Sequence, residues 1–134
     1  MEQFREPFMG KLVSRFQRFP LLLKFLDAQK MLSPQVHPSE AHPELLPPGE
    51  TSKTEAWVVI EARKGSSIYA GLQPGTTASE LHQALAGKTI ADYLVCIFPK
   101  RGDAVFIPAG TVHTLGGGAL IRSWSAPHIL YQMQ

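Results

Sequence analysis

The chain has 134 residues, 44% of them apolar, which suits one domain with a real hydrophobic core. Its formal net charge of +2 is too small to imply a nucleic-acid or membrane partner. The single cysteine, Cys96, excludes an internal disulfide and fits a reducing compartment; its place in the apolar run Leu94-Val95-Cys96-Ile97-Phe98 predicts a core-packing role.

Residues 1–18 carry Phe4, Phe8, Leu12 and Phe16 at every fourth position, which predicts an N-terminal amphipathic helix. Charges interrupt this stretch throughout, so it has no apolar region of the kind that marks a signal peptide. Leu21-Leu22-Leu23 is broken by Lys24 and Asp27 and cannot make a transmembrane helix. A soluble, cytoplasmic protein is the expectation. Strands are predicted over 20–27 and 30–36, with Pro34 marking an edge or a bend. Pro38, Pro43, Pro47, Pro48 and Gly49 make residues 38–53 a loop.

Residues 54–62, TEAWVVIEA, read as a strand; Lys64-Gly65 turns the chain, and 67–72 continue as another strand. Thr77-x-x-Glu80 is a capping box that starts a short helix ending at Gly87, and 89–94 add a further helical turn. Strands 95–99 and 103–108 flank a Lys100-Arg101-Gly102 turn, and a strand over 118–123 follows the glycine run. Many short strands with Gly and Pro turns and one or two short helices argue for a mainly β barrel or sandwich.

Three strand-spaced groups carry the polar chemistry. Ser33, Gln35 and His37 alternate to one face of their segment, against Leu32, Pro34 and Val36. Lys53, Glu55 and Trp57 repeat that spacing where the most apolar strand begins. A carboxylate there is costly unless it is paired or holds a cation. GDAVFIPAGTVH, 102–113, reads G-x5-P-x-G-x2-H: Pro108 and Gly110 bend the backbone, and His113 follows at a fixed point past the bend, on one face with Thr111. Gln35, His37, Glu55 and His113 together offer two imidazoles, a carboxylate and an amide oxygen. That set suits Zn²⁺ and tolerates Mn²⁺, Co²⁺ or Fe²⁺. His42 in the Pro-rich loop, His82 on the helix and His128 in the tail are poorer candidates.

The 102–113 segment resembles the second conserved motif of the cupin superfamily. FPLLLKFLDAQKMLSPQVHPSEAHP (19–43), KTEAWVVIEARKGSSIYAGL (53–72) and GDAVFIPAGTVHTLGGG (102–118) together resemble type I phosphomannose isomerases, with the QVHP, K-x-E-A-W and PAGTVH motifs in that family's order. The resemblance implies a cupin-type jelly-roll β-barrel over 19–123, preceded by the 1–18 helix and followed by a divergent tail, 124–134. It implies one zinc per chain, held by Gln35, His37, Glu55 and His113, and a sugar-phosphate partner. Lys53 matches the lysine that the family implicates in proton transfer or substrate binding, and Ser33 lies where a phosphate contact belongs. The implied reaction interconverts mannose 6-phosphate and fructose 6-phosphate through a cis-enediol.

Departures from the family are also plain. The chain is shorter than family members and diverges after Gly118, where the family runs on to an arginine thought to act in catalysis. Here the sequence reads ALIRSWSAPHILYQMQ, with Arg122 as a candidate substrate contact. A short or truncated version of the isomerase is the expectation, with a non-catalytic, metal-binding cupin that binds a sugar phosphate as the alternative. Lys100 and Arg101 are secondary phosphate candidates whose position predicts a solvated turn. The few strands available to cover open barrel edges make a homodimer a further expectation.

Overall fold

The computed structural model describes residues 7, 9–14, 21–48 and 51–126. Among these residues, seven strands form two antiparallel sheets. Strands β1 (Leu22–Ala28), β2 (Thr54–Ala62), β5 (Ala104–Ile107) and β7 (Ala119–Ala126) make a four-stranded sheet in the order β1-β7-β2-β5. Strands β3 (Ile68–Leu72), β4 (Leu94–Ile97) and β6 (His113–Leu115) make a three-stranded sheet in the order β4-β3-β6. Ala28, Trp57, Val59, Ile107 and Ile121 from the first sheet and Ile68 and Leu115 from the second form one buried cluster. The two sheets therefore share a single core.

Period-two alternation explains which faces meet. In β2, Glu55, Trp57 and Val59 are buried while their neighbours are less so. In β7, Ile121, Ser123 and Ser125 are buried and point the same way, since Trp57 pairs with Ser123 and Glu55 with Ser125. The opposite face of this sheet carries Leu23, Phe25 and Phe106, all exposed, with Phe25 at 60%. Arg122 belongs to that outer face: its guanidinium carbon lies 5.3 Å from the Phe25 ring centre and 5.7 Å from that of Trp124.

The α-helix α1 (Ala78–Gly87) begins on the capping box that the sequence predicts. The Glu80 amide donates to Thr77 Oγ1 at 3.3 Å, and the Thr77 amide donates to Glu80 Oε2 at 2.8 Å. The further turn predicted over 89–94 is a 3₁₀ turn, Ile90–Tyr93. Gly116 and Gly117 let three segments meet closely. A Cβ on Gly116 would lie 2.8 Å from the Ser67 carbonyl oxygen, and one on Gly117 would lie 3.0 Å from that of Gln29. Beside them, Ser66 Oγ donates to the Gly118 carbonyl at 2.7 Å and the Gly118 amide donates to Ala28 O at 2.7 Å.

Several expectations need correction. Residues 30–36 do not form a strand; the segment runs extended beside β6 with a single bridge, Gln35 to His113. Leu32 donates to Leu115 O and Gln35 donates to His113 O, so this segment advances three residues while β6 advances two. Pro34 has no N–H to give the ladder, and the extra residue is accommodated beside it. Cys96 is exposed rather than packed in the core, because β4 is an edge strand and only Leu94 of it is fully buried. Of the residues 1–18 over which a helix is predicted, Pro7 and Met9 are helical and Gly10–Ser14 is a 3₁₀ turn; the others lie outside the described residues. β7 extends to Ala126, beyond the predicted 118–123, and His128 with the rest of the tail lies outside the described residues. No described helix is long and apolar enough to cross a membrane.

Two substitutions separate packing from surface effects. Ile121 is fully buried on the central strand β7, so Ile121→Ala is expected to cost about 2–5 kcal/mol in denaturant unfolding. Gly116→Ala, which would press a methyl group on the Ser67 backbone, is expected to cost about 1–3 kcal/mol. Leu23→Ala, on the exposed face, should stay within about 0.5 kcal/mol of the parent. An Ile121→Ala loss no larger than that of Leu23→Ala would contradict the assigned core.

Candidate metal centre

Three chain segments are locked together around one point. Gln35 and His113 exchange backbone hydrogen bonds, N to O at 2.9 Å and 2.8 Å. The Gly110 amide donates to the His37 carbonyl at 2.6 Å, from a backbone with φ 87 that glycine adopts freely. The neighbouring Ala109 amide donates to Thr54 Oγ1 at 3.2 Å. The Pro-Ala-Gly turn thus clips the start of β2 to the QVHP segment, and β6 leaves that turn carrying His113. This is the physical content of the three motifs: each supplies donor side chains, and their backbones hold one another.

The side chains converge accordingly. His37, Glu55 and His113 each present a donor atom, and these atoms lie within 4.8 Å of one another. Glu55 is 6% exposed and His113 is 3% exposed. His37 Nε2 lies 3.3 Å from Glu55 Oε1, and the two imidazole centres are 5.2 Å apart. Trp57 Nε1 donates to Glu55 Oε2 at 2.7 Å, and Ser123 Oγ donates to the same oxygen at 3.4 Å. His113 Nδ1 faces the Thr111 carbonyl at 2.8 Å, which fixes the proton on Nδ1 and leaves the Nε2 lone pair for a ligand. Lys53 sits among these donors: its ammonium pairs with Glu55 Oε1 and donates to His37 Nε2 at 3.1 Å.

Electrostatics favour a neutral imidazole beside an ionised carboxylate. Burial lowers the His37 pKa below 6.5, and the Lys53 ammonium lowers it further against the opposing pull of Glu55. Burial by itself would raise the Glu55 carboxyl, but hydrogen bonds from Lys53 and Trp57 outweigh it and hold the pKa below 4.5. A lone-pair nitrogen, a second one on His113 and a carboxylate oxygen are the donor forms that a divalent cation requires.

Glu55 and His113 border a cavity of about 130 Å³, with Ser33, Gln35 and Lys53 also in its lining. The structure also places Lys24 there, which the sequence analysis does not single out. Lys24 pairs with Ser123 across β1 and β7 and so shares the inward face of the sheet. Its alternation with Leu23 and Phe25 in an otherwise apolar segment is the sequence signal for it. Trp57 and Ser123, the two donors to Glu55 Oε2, gain their roles only from the packing. Arg122 is not brought to the site, because it is adjacent to inward-facing Ser123 and therefore points to the outer face. Lys100 and Arg101 lie in an exposed turn away from the cavity. His42 pairs with Glu44 at the surface and His82 is exposed on α1.

Acid should weaken the metal-free protein in two steps. As the pH falls through 6.5 the unfolded chain takes up a proton at His37 that the folded chain still refuses. Below 4.5 the same holds for Glu55. In each range the unfolded state binds more protons, so stability falls with pH. Urea unfolding from about pH 7 to about pH 4 measures this, and His37→Gln is expected to flatten the upper part of the slope. An unchanged slope in that variant would contradict the burial assigned to His37.

No family model matches the chain. A mannose-6-phosphate isomerase of Streptococcus mutans is 42% identical over 108 residues, which are 81% of this chain and 34% of that protein. The crystal structure of the mannose 6-phosphate isomerase from Bacillus subtilis superposes with a TM-score of 0.78 at 32% identity, over 94% of this chain and 39% of that one. A zinc-bound mannose 6-phosphate isomerase shares the fold at 14% identity, with a TM-score of 0.62 over 94% of this chain and 53% of that one. The chain spans about a third of the length of the curated relatives it matches. Over the third that it spans, with the QVHP, K-x-E-A-W and PAGTVH segments folded around one centre, the chain is homologous to mannose-6-phosphate isomerases.

Proposed function

We propose that this chain is a metal-dependent aldose–ketose isomerase that interconverts mannose 6-phosphate and fructose 6-phosphate within a cupin-type jelly roll. The observation that carries this reading is the convergence of His37, Glu55 and His113 beside a cavity that also takes in Lys53, Lys24 and Ser33. Gln35, His37, Glu55 and His113 would hold the metal, with zinc favoured by the two-imidazole, one-carboxylate donor set and by the zinc-bound structural relative. A divalent ion there supplies a Lewis acid for the sugar oxygens on which charge develops.

The chain's own residues supply the rest. Lys53 is the candidate proton shuttle: it lines the cavity and can carry a proton between C1 and C2 as the cis-enediol forms and collapses. Lys24 and Ser33 give the cavity a cation and a hydroxyl suited to a phosphate, and among the described residues Lys24 makes no ion pair. Trp57 and Ser123 orient Glu55, and Thr111 orients His113.

A second reading is a metal-binding cupin that holds a sugar phosphate without turning it over. The position of Arg122 outside the cavity favours it.

A coupled assay for fructose 6-phosphate, run on metal-stripped protein before and after zinc is added, separates the two. Zinc-dependent turnover is expected on the first reading. Stoichiometric zinc and sugar-phosphate binding without turnover would establish the second. On both, His113→Ala is expected to abolish stoichiometric zinc binding in calorimetry, and retained stoichiometric zinc in that variant would overturn the ligand assignment.

A further inference from the structure

The side chain between the proposed ligands is itself a cation. Lys53 precedes β2 by one residue, two residues from Glu55, and its stem brings the ammonium back across the strand end. The nitrogen meets Glu55 Oε1 and His37 Nε2, which are 3.3 Å from each other. An ammonium has only protons to give, so at both contacts it takes up a lone pair that a metal would need. A bound metal and this arrangement of Lys53 therefore exclude each other at two ligand atoms.

Resting on the metal-site reading above, we propose that Lys53 is a built-in competitor for the metal, and that metal binding releases its ammonium from His37 and Glu55 into the cavity. The lysine serves the metal-free fold by neutralising Glu55, a carboxylate too buried to stand unpaired. It can leave because its side chain remains 30% exposed and its stem is long and flexible. Its exit leads toward the cavity, since Lys53 lines that cavity together with Lys24 and Ser33. The same residue thus alternates between two partners: the ligand pair when no metal is bound, and the sugar-phosphate cavity when one is. The proton-shuttle position becomes available only to chains that carry metal.

Zinc titration and lysine NMR test this on the intact chain. In calorimetry, Lys53→Met removes the competing charge with little change of volume, and it is expected to bind Zn²⁺ about tenfold more tightly or better than the parent. Lys53→Arg keeps the charge and should show no such gain. In protein labelled with ¹⁵N-lysine, the Lys53 Nζ signal, identified by its absence from Lys53→Arg, should be hydrogen-bonded and slowly exchanging before zinc. It should be lost or strongly shifted after one equivalent. The NMR arm uses the parent chain, so it decides the matter even if Lys53→Met does not fold. Zinc bound by the parent with an unchanged Nζ signal, or equal affinity in Lys53→Met, would overturn the competition and leave the metal site standing. Failure of both the parent and Lys53→Met to bind zinc would overturn the metal site itself, and the competition with it.

Discussion

A buried carboxylate governs this molecule. Glu55 faces inward on β2, against Trp57, Ser123 and the His113 ring, and an ionised group in that position is tolerated only with a cation and directed hydrogen bonds. Everything around it answers that requirement. The indole and the serine hydroxyl take one oxygen, and the Lys53 ammonium takes the other. The outcome is an electron-rich cluster of lone pairs held in an otherwise apolar β structure. That is an arrangement poised for a positive charge, whether the charge comes from a side chain or from an ion.

The backbone makes the cluster rigid. His37, Glu55 and His113 stand on three segments far apart in sequence, yet two of those segments exchange hydrogen bonds directly, and the Pro-Ala-Gly turn joins the third. Each candidate ligand is thereby held by the main chain of another candidate's motif.

The sequence displays those parts of the structure that follow from local rules. β2, α1 and its capping box obey alternation, periodicity and end chemistry, and the structure has them where the pattern places them. The three motifs that carry the candidate ligands are visible in the sequence because each is a short run with its own turn or strand signal. What stayed hidden depends on tertiary context. β6 is three residues, all buried, between the Pro-Ala-Gly turn and a glycine run, and so short a strand has no period to detect. The 30–36 segment has strand-like alternation, but Pro34 denies it a ladder. Cys96 lies in an apolar run whose edge position leaves it open to solvent. Arg122 and Lys24 illustrate the same lesson from opposite sides. Each is a cation in an apolar strand, and only register decides which of them faces the cavity.

Sheet order also governs the timing of assembly. β7 is the last of the described strands in sequence, but it lies between β1 and β2, which are not hydrogen-bonded to each other. On a ribosome delivering the chain from its N-terminus, the inward faces bearing Lys24 and Glu55 therefore wait, unpaired along these edges, until residues 119–126 arrive. Pairings across such sequence distances are slow to form and leave strand edges open meanwhile. The internal Lys53–Glu55 pair is local by contrast, and can neutralise the carboxylate long before the strand that covers it has been made.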